Sequence, residues 1–356
     1  MQPFFSIGVT TYDRIELLIE TIGSIVAQTF SDFEVIVSND NPERTITGEL
    51  LGIQDSRIRF INQTENLGEF GNMNYLLNVS NGQYFTWIAD DDLYSPHFLE
   101  EIYKKILKFN FPTCIFTSYD TIYDSNIPDM FHSGTTEGKL LTGRDFLCRY
   151  FKGKIKTIGV MGVFQTDYLT SLGGIEYVSQ DNITIYSEYI LILRAGLLKK
   201  VCYINYPLMF YRSHETAWGI RNTDVEIYKR AGQNLIPLSI EIFKNHALRD
   251  DFQQNLFYVL KLSMDYIVGT ASKRPEKFSI RDLLTYFLSV KEHFTSLKKS
   301  NLYKAAILSW TKAGMYLIWS IAKETFKMKA PHSFKKAAYK ILFFFKRQKT
   351  KPNYQI

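Results

Sequence analysis

QYFTWIADDDLYSP, residues 83–96, is an apolar run that stops at three consecutive carboxylates. Tyr84 to Ile88 is short, β-prone and continuous, which predicts a strand buried on both faces of a parallel sheet. Ser95 and Pro96 then suit the N-cap and first residue of a helix, with Glu100 and Glu101 near its positive end. Asp90, Asp91 and Asp92 therefore fall at the carboxyl end of a core strand, where open α/β sheets take their ligands. Adjacent carboxylates repel one another unless a cation or water takes up the charge. Hard oxygen donors of this kind suit Mg²⁺ or Mn²⁺ holding a diphosphate. The plainer alternative is a solvated acidic turn feeding the following helix dipole.

Working outward, strand and helix patterns alternate. Phe4–Thr11 is an apolar, β-prone run, and Ile15, Leu18, Ile19, Ile22, Ile25 and Val26 recur at helical spacing. A second strand, Phe33–Ser38, ends at Asn39-Asp40-Asn41-Pro42, with a helix through Leu50 and Leu51 beyond it. Arg57–Asn62 is a third strand, Phe70–Val79 a helix, Pro96–Phe109 another, and Cys114–Tyr119 a further strand. This alternation predicts an α/β, Rossmann-like, mostly parallel sheet flanked by helices. No GxGxxG follows the first strand and no GxxxxGK[ST] occurs, so a dinucleotide dehydrogenase and a P-loop NTPase lose their main support.

The pattern is less regular from about residue 125. Asp124–Leu141 is polar and reads as a loop near a site, Thr157–Phe164 as a Gly-interrupted strand, and Leu172-Gly173-Gly174 as a turn. Ile183–Leu198 reads as an apolar helix carrying Glu188, and Lys200–Tyr211 as a strand. From Asp224 onward helices dominate, with breaks predicted near Pro237, Lys273–Pro275 and Pro331. The domain division expected is a catalytic domain over 1–222, with halves 1–125 and 126–222, and a helical region over 223–356.

Charge divides the chain as well. Residues 301–356 hold twelve Lys/Arg and a single acid, Glu324, within an overall net charge of +6. A mildly acidic body with a basic tail points to an anionic surface as partner. Cys114, Cys148 and Cys202 are too few and too widely spaced for a disulfide framework or a CxxC metal pair, which suits a reducing compartment. The N-terminus lacks a signal-like segment and no run of about 20 apolar residues is present, so a cytoplasmic protein without a membrane span is expected.

The order TTYDR, SNDN, NLGEFGNMN, ADDD, LGG, SEYILILRAG and YRSH, between about Phe4 and Trp218, resembles the family 2 glycosyltransferases. The resemblance implies a GT-A fold and an inverting enzyme that uses a nucleotide-sugar donor. It places Thr10, Thr11, Tyr12 and Arg14 on the nucleotide-sugar, with Tyr12 holding the nucleobase through its ring. Such base–aromatic stacking contributes about 1–3 kcal/mol. Asp40 would accept hydrogen bonds from uracil or ribose, and Asn66, Gly68, Asn72 and Asn74 line a helix start suited to phosphates. Asn72 and Asn74, two apart, do not share one helix face. Met73 stands where many members carry Arg.

In the triplet the resemblance makes Asp90 the ribose-side residue and Asp91 a metal ligand for Mn²⁺ or Mg²⁺, with Asp92 and His214 completing the set. Ala89 stands where an acid is common. Glu188 matches the catalytic base that takes the acceptor's proton, although Ser187 replaces the usual preceding acid, and Asp181 is the reserve candidate. Arg212 would neutralise the leaving diphosphate, and Trp218 would stack on a sugar. The QxxRW signature of processive synthases is absent, which favours addition of a single sugar.

The tail mixes Lys335, Lys336 and Lys340 with Ile341, Leu342 and three Phe, which suits an interfacial helix on an anionic leaflet. A helical cap packed on the catalytic domain is the alternative, and nucleic acid is a poor partner because no binding module accompanies the charge. The expectation is a metal-dependent transferase on the inner face of the cell membrane. It would move one sugar, from UDP more than GDP or dTDP, to a lipid-linked or oligosaccharide acceptor in surface polysaccharide synthesis. A nucleotidyltransferase-like enzyme and a non-catalytic GT-A scaffold are the competing classes.

Overall fold

In the computed structural model, residues 2–123, 136–178, 185–213, 224–244, 249–273 and 279–327 are described. The chain divides into two compact units, Met1–Ala217 and Trp218–Ile356.

The first unit is an α/β sheet with helices. Its strands are β1 (Phe5–Thr11), β2 (Phe33–Asn39), β3 (Ile58–Asn62), β4 (Tyr84–Ala89), β5 (Leu93–Tyr94), β6 (Cys114–Ile122), β7 (Gly138–Leu141), β8 (Val163–Gln165) and β9 (Val201–Arg212). They run in the order β3-β2-β1-β4-β8-β6-β9-β5, with β7 also on β9. β3, β2, β1 and β4 are parallel; β1, β2 and β4 are largely buried runs, as strands covered on both faces should be, and β3 is the partly exposed edge. Phe5, Ile7, Val9, Val35, Val37, Tyr84 and Ile88 are buried in one core cluster with Leu18, Ile22 and Ile25 of helix α1 (Ile15–Val26). The far half is mixed: β8 runs antiparallel to β4 and β6, while β6 and β9 are parallel.

Register sets the height of the site. Thr10 pairs with both Ser38 and Ala89, so β1, β2 and β4 end at one level. Thr11, Asp40 and Asp90 consequently emerge side by side. The chain leaves β1 toward β2 and β3, then returns to β4 on the other side. That reversal is the kind of switch point where a crevice forms.

Several local expectations change. The helix after the triplet, α4, is Phe98–Lys108 with His97 at its N-cap, two residues later than Ser95 and Pro96 suggested. Leu93 and Tyr94 instead pair with β9, which carries the chain past the sheet edge before the helix begins. Within 157–164 only Val163 and Phe164 are in a strand. Helices α2 (Gly48–Leu51), α3 (Gly68–Asn78), α5 (Gly143–Phe151), α6 (Thr166–Ser171) and α7 (Ser187–Ala195) complete the unit.

The second unit is helical, with α8 (Val225–Lys244), α9 (Arg249–Ser272), α10 (Ile280–Ser289), a 3₁₀ segment Val290–Leu297 and α11 (Leu302–Lys327). Pro237 does not break α8. A helix-interior Pro costs about 3 kcal/mol. Burial of Leu235, Ile236, Ile240, Ile242 and Phe243 on the same helix outweighs it, at about 1.5–3 kcal/mol for each side chain. No described helix is long and apolar enough to cross a membrane.

Candidate active site

The carboxyl ends of β1, β2 and β4 and the start of α3 enclose a cleft of about 330 Å³. Thr10, Thr11, Tyr12, Arg14, Asp40, Asn66, Gly68, Glu69, Asn72 and Ala89 line it. A larger open groove of about 1050 Å³, bordered by Asp32, Glu34, Asn81 and Asp167, lies at the amino ends of the same strands, away from the triplet.

Each wall has a physical origin. Tyr12 follows β1 and is 52% exposed, leaving an aromatic face open at the rim. Asp40 is buried and accepts the Leu67 N–H at 2.8 Å, which ties the end of β2 to the first turn of α3. Burial raises its pKa, and the Leu67 and Gly68 N–H groups partly offset that. Gly68 takes φ of 73°, a left-handed conformation that glycine adopts at little cost, and Asn66 Oδ1 accepts its N–H. Asn72 donates to the Ser38 carbonyl at 3.0 Å, while its Oδ1 is buried and without a hydrogen-bond partner.

Asn74 turns elsewhere. Its amide donates to the Ile175 carbonyl at 3.1 Å and accepts the Ile175 N–H at 2.8 Å. It thus clamps the Gly173-Gly174 turn, where Gly174 has φ of 81° and a Cβ would collide with the Asn74 amide. Met73 is buried, and its carbonyl accepts the Trp87 indole N–H.

The three acids separate into two environments. Asp90 is fully buried, accepts the Thr11 hydroxyl at 2.6 Å, and pairs with Arg14 at 2.5 Å. Arg14 reaches Asp91 with its other terminal nitrogen, so one guanidinium bridges both side chains. Burial pushes the Asp90 pKa up despite Arg14 and Thr11. Asp90 Oδ1 has this ion pair but no hydrogen bond of good geometry. Asp92 is buried, accepts the Arg212 backbone N–H at 2.9 Å, and has its carboxyl raised well above the usual range by burial and then by Asp91. The Thr21 hydroxyl of α1 donates to its carbonyl. Asp92 therefore joins β9 and α1 to the triplet. The Arg212 guanidinium meets Glu20 at 2.6 Å.

Glu188 stands in the first turn of α7. Tyr186 precedes it at φ of 68°, uncommon for an aromatic residue and a mark of a chain held by its surroundings. Gly159 packs so close that a Cβ there would collide with the Glu188 carbonyl oxygen. Burial, then the charge of Glu69, raises the Glu188 carboxyl to about 7. Burial also raises the Tyr211 phenol, and Asp92, Asp91 and Glu188 add to it. Tyr211 thus senses the triplet and Glu188 together, with Tyr119 edge-on at 6.3 Å.

Asp181, His214 and Trp218 lie outside the described residues. Glu69 and Gly159 were not singled out in the sequence. The acid in the first turn of GEFGNMN was the available signal for Glu69, whereas Gly159 gave none.

Among the described residues no group of three or more His, Cys, Asp or Glu is arranged to hold a metal. Asp90 and Asp91 nevertheless fit one. Two hard carboxylates already share a cation, one of them with an oxygen lacking a hydrogen bond, and Mg²⁺ commonly takes one or two carboxylates plus substrate phosphates.

Comparisons with known proteins bear on this site. Residues 6–166 match the family model Glycosyl transferase family 2. An uncharacterized glycosyltransferase of Rickettsia bellii is 32% identical over 132 residues, covering 36% of this chain and 19% of the relative. The GalNAc(5)-diNAcBac-PP-undecaprenol beta-1,3-glucosyltransferase of Campylobacter jejuni is 39% identical over 93 residues, 25% of this chain and 30% of that one. The chain thus spans well under half the length of these two relatives. The crystal structure of S. aureus TarS 1–349 in complex with UDP-GlcNAc superposes with a TM-score of 0.65 at 13% identity, over 97% of this chain and 92% of that one. The shared fold is that of the GT-A transferases.

Proposed function

We propose that this chain, whose residues 6–166 belong to glycosyl transferase family 2, is an inverting glycosyltransferase. It moves one sugar from a UDP-sugar to a lipid-linked saccharide. One observation carries the reading: the Asp90–Arg14–Asp91 bridge lies at a cleft that also holds an exposed Tyr12 and a buried Asp40. A UDP-sugar fits that combination of aromatic rim, acceptor and charge, and TarS, a protein of the same fold, has been crystallised in complex with UDP-GlcNAc. A lipid-linked acceptor is supported by the name of the Campylobacter relative.

Tyr12 stacks on the base and Asp40 accepts from the uracil or ribose. Asp90 and Asp91 would hold Mn²⁺ or Mg²⁺. When bound, that ion supplies Lewis-acid stabilisation of the leaving diphosphate. Glu188 takes the proton of the acceptor hydroxyl while the oxygen forms its bond to the anomeric carbon from the face opposite the diphosphate. The anomeric C–O bond breaks, UDP leaves with the electron pair, and the configuration inverts. A carboxyl raised to about 7 is more basic than an ordinary one, which suits this role. The test is transfer from a panel of nucleotide sugars by wild type and Glu188→Gln. Turnover should fall about 10²–10⁴-fold in the variant with UDP affinity unchanged; equal turnover rejects Glu188 as the base.

The helical unit supports peripheral attachment to the cytoplasmic face of the membrane. Leu308, Met315 and Ile318 are exposed on α11, and Lys304, Lys312 and Lys323 are exposed on the same helix. Apolar side chains flanked by Lys suit an anionic interface. The basic residues beyond Lys327 lie outside the described residues. The chain should float with anionic vesicles and not with neutral ones; equal partition rejects the attachment.

A further inference from the structure

We infer that Arg14 is an internal counter-ion for the acid triplet, one that makes divalent-ion binding depend on the nucleotide. The inference rests on the proposed role of Asp90 and Asp91 as ligands.

The geometry is that of a clamp with one buried and one exposed side. Asp90 is fully buried at the end of β4, held by Thr11, and Asp91 is 14% exposed. Arg14 is 40% exposed and sits at the N-cap of α1 with no capping hydrogen bond from its side chain. Of the three side chains the guanidinium is the most exposed, and among the described residues its bonds are those to Asp90 and Asp91. A buried carboxylate stripped of its cation is costly, so Asp90 and Asp91 keep Arg14 until another cation replaces it.

Arg14 sits on Asp90 Oδ1 and Asp91 Oδ2, and Thr11 on Asp90 Oδ2, so a divalent ion taking these oxygens competes with the guanidinium. A metal arriving alone must displace Arg14 from Asp90 and Asp91 into a cleft whose remaining acids are Glu69 and Asp40, the latter already engaged by the Leu67 N–H. A nucleoside diphosphate changes that balance. Arg14 lines the cleft with Tyr12 and Asp40, so a displaced guanidinium meets the phosphate oxygens, for which its fork is suited. The diphosphate thereby supplies both a ligand for the metal and a new partner for Arg14. Metal and nucleotide each strengthen the other's binding through this exchange, and linkage requires the effect to be reciprocal. Arg14 accordingly acts in two places, on Asp90 and Asp91 before the metal binds and on the diphosphate afterwards.

The experiment measures free Mn²⁺ by electron paramagnetic resonance while the full chain is titrated, with and without UDP, for wild type, Arg14→Gln and Arg14→Lys. Without UDP, R14Q should bind Mn²⁺ about tenfold more tightly than wild type, within the usual range of coupling factors. The factor by which UDP strengthens Mn²⁺ binding should shrink correspondingly. R14K keeps the charge but loses the fork, and should fall between the two. Circular dichroism and melting verify that each variant is folded; if R14Q is not, R14K against wild type decides. Equal Mn²⁺ affinity in the folded variants and wild type without UDP overturns the role of Arg14. It leaves the metal reading standing if UDP still tightens Mn²⁺ binding in all of them. UDP binding with no Mn²⁺ bound by any chain overturns the metal reading itself, and the inference with it.

Discussion

The two halves of the sheet hold their functional residues by different means. On the β3-β2-β1-β4 side, parallel strands in unbroken register end together, and Thr11, Asp40 and Asp90 are placed by the lengths of those strands. On the β6–β9 side the register slips twice, strand directions are mixed, and the backbone at Glu188 is held by close packing against Gly159. The Asn74 clamp on Ile175 and the left-handed Tyr186 belong to the same scheme. A proposed donor site built on strand ends should lose its side-chain contacts one at a time. A proposed base fixed by backbone contact should not, because the whole turn must shift together.

The contrast is broken most directly by pairing two substitutions. Gly159→Ala puts a Cβ into the Glu188 carbonyl and has to move the start of α7. A displacement of about 1 Å costs on the order of 10²-fold in rate, so kcat should fall by that factor while UDP affinity stays as in wild type. Asp40→Ala should do the reverse. It removes the proposed acceptor for the base or ribose and the partner of the Leu67 N–H, weakening UDP binding about tenfold, since a hydrogen bond to a charged group contributes about 1.5–3 kcal/mol. Titration calorimetry with UDP and steady-state kinetics read both. If G159A weakens UDP binding as much as D40A does, the two halves are not separately fixed.

How much of this the sequence shows follows the same division. The Tyr84–Ile88 run, the alternating elements before residue 123 and the site at the strand ends are legible because burial on both faces and chain reversal leave a one-dimensional pattern. Which acid does what is not legible. Asp90, Asp91 and Asp92 are identical in type, and only the returning β9, through the Arg212 N–H, draws Asp92 away from the cleft. Asn74 reads like Asn72, yet its partner is Ile175, a hundred residues on. Pro237 reads as a break because sequence exposes the lost hydrogen bond and conceals the apolar burial that offsets it. Gly159 is silent for a related reason. Its importance is the space it leaves, which belongs to a distant residue.

Glu69 is where the halves meet, and it offers the finest test. It lines the donor cleft, and its charge is the second cause, after burial, of the raised Glu188 carboxyl at about 7. As the proposed base, Glu188 must be ionised to accept a proton, so kcat/KM should rise with pH through about 7 and then level off. Glu69→Gln removes the like charge but not the burial. The acidic limb should therefore move down in pH while remaining above the 4.5 of an ordinary Glu, and the plateau should be unchanged. Stability has a fixed sign as well. A folded-state pKa raised above the unfolded value contributes stability that is present at low pH and lost as pH rises through about 7. E69Q should lessen that loss, so the variant's melting temperature should fall less between pH 5 and pH 8 than that of wild type. An acidic limb that stays where it was would mean that Glu69 does not face Glu188. The donor cleft and the base would then be electrostatically separate, and the single site drawn across the two halves would have to be divided.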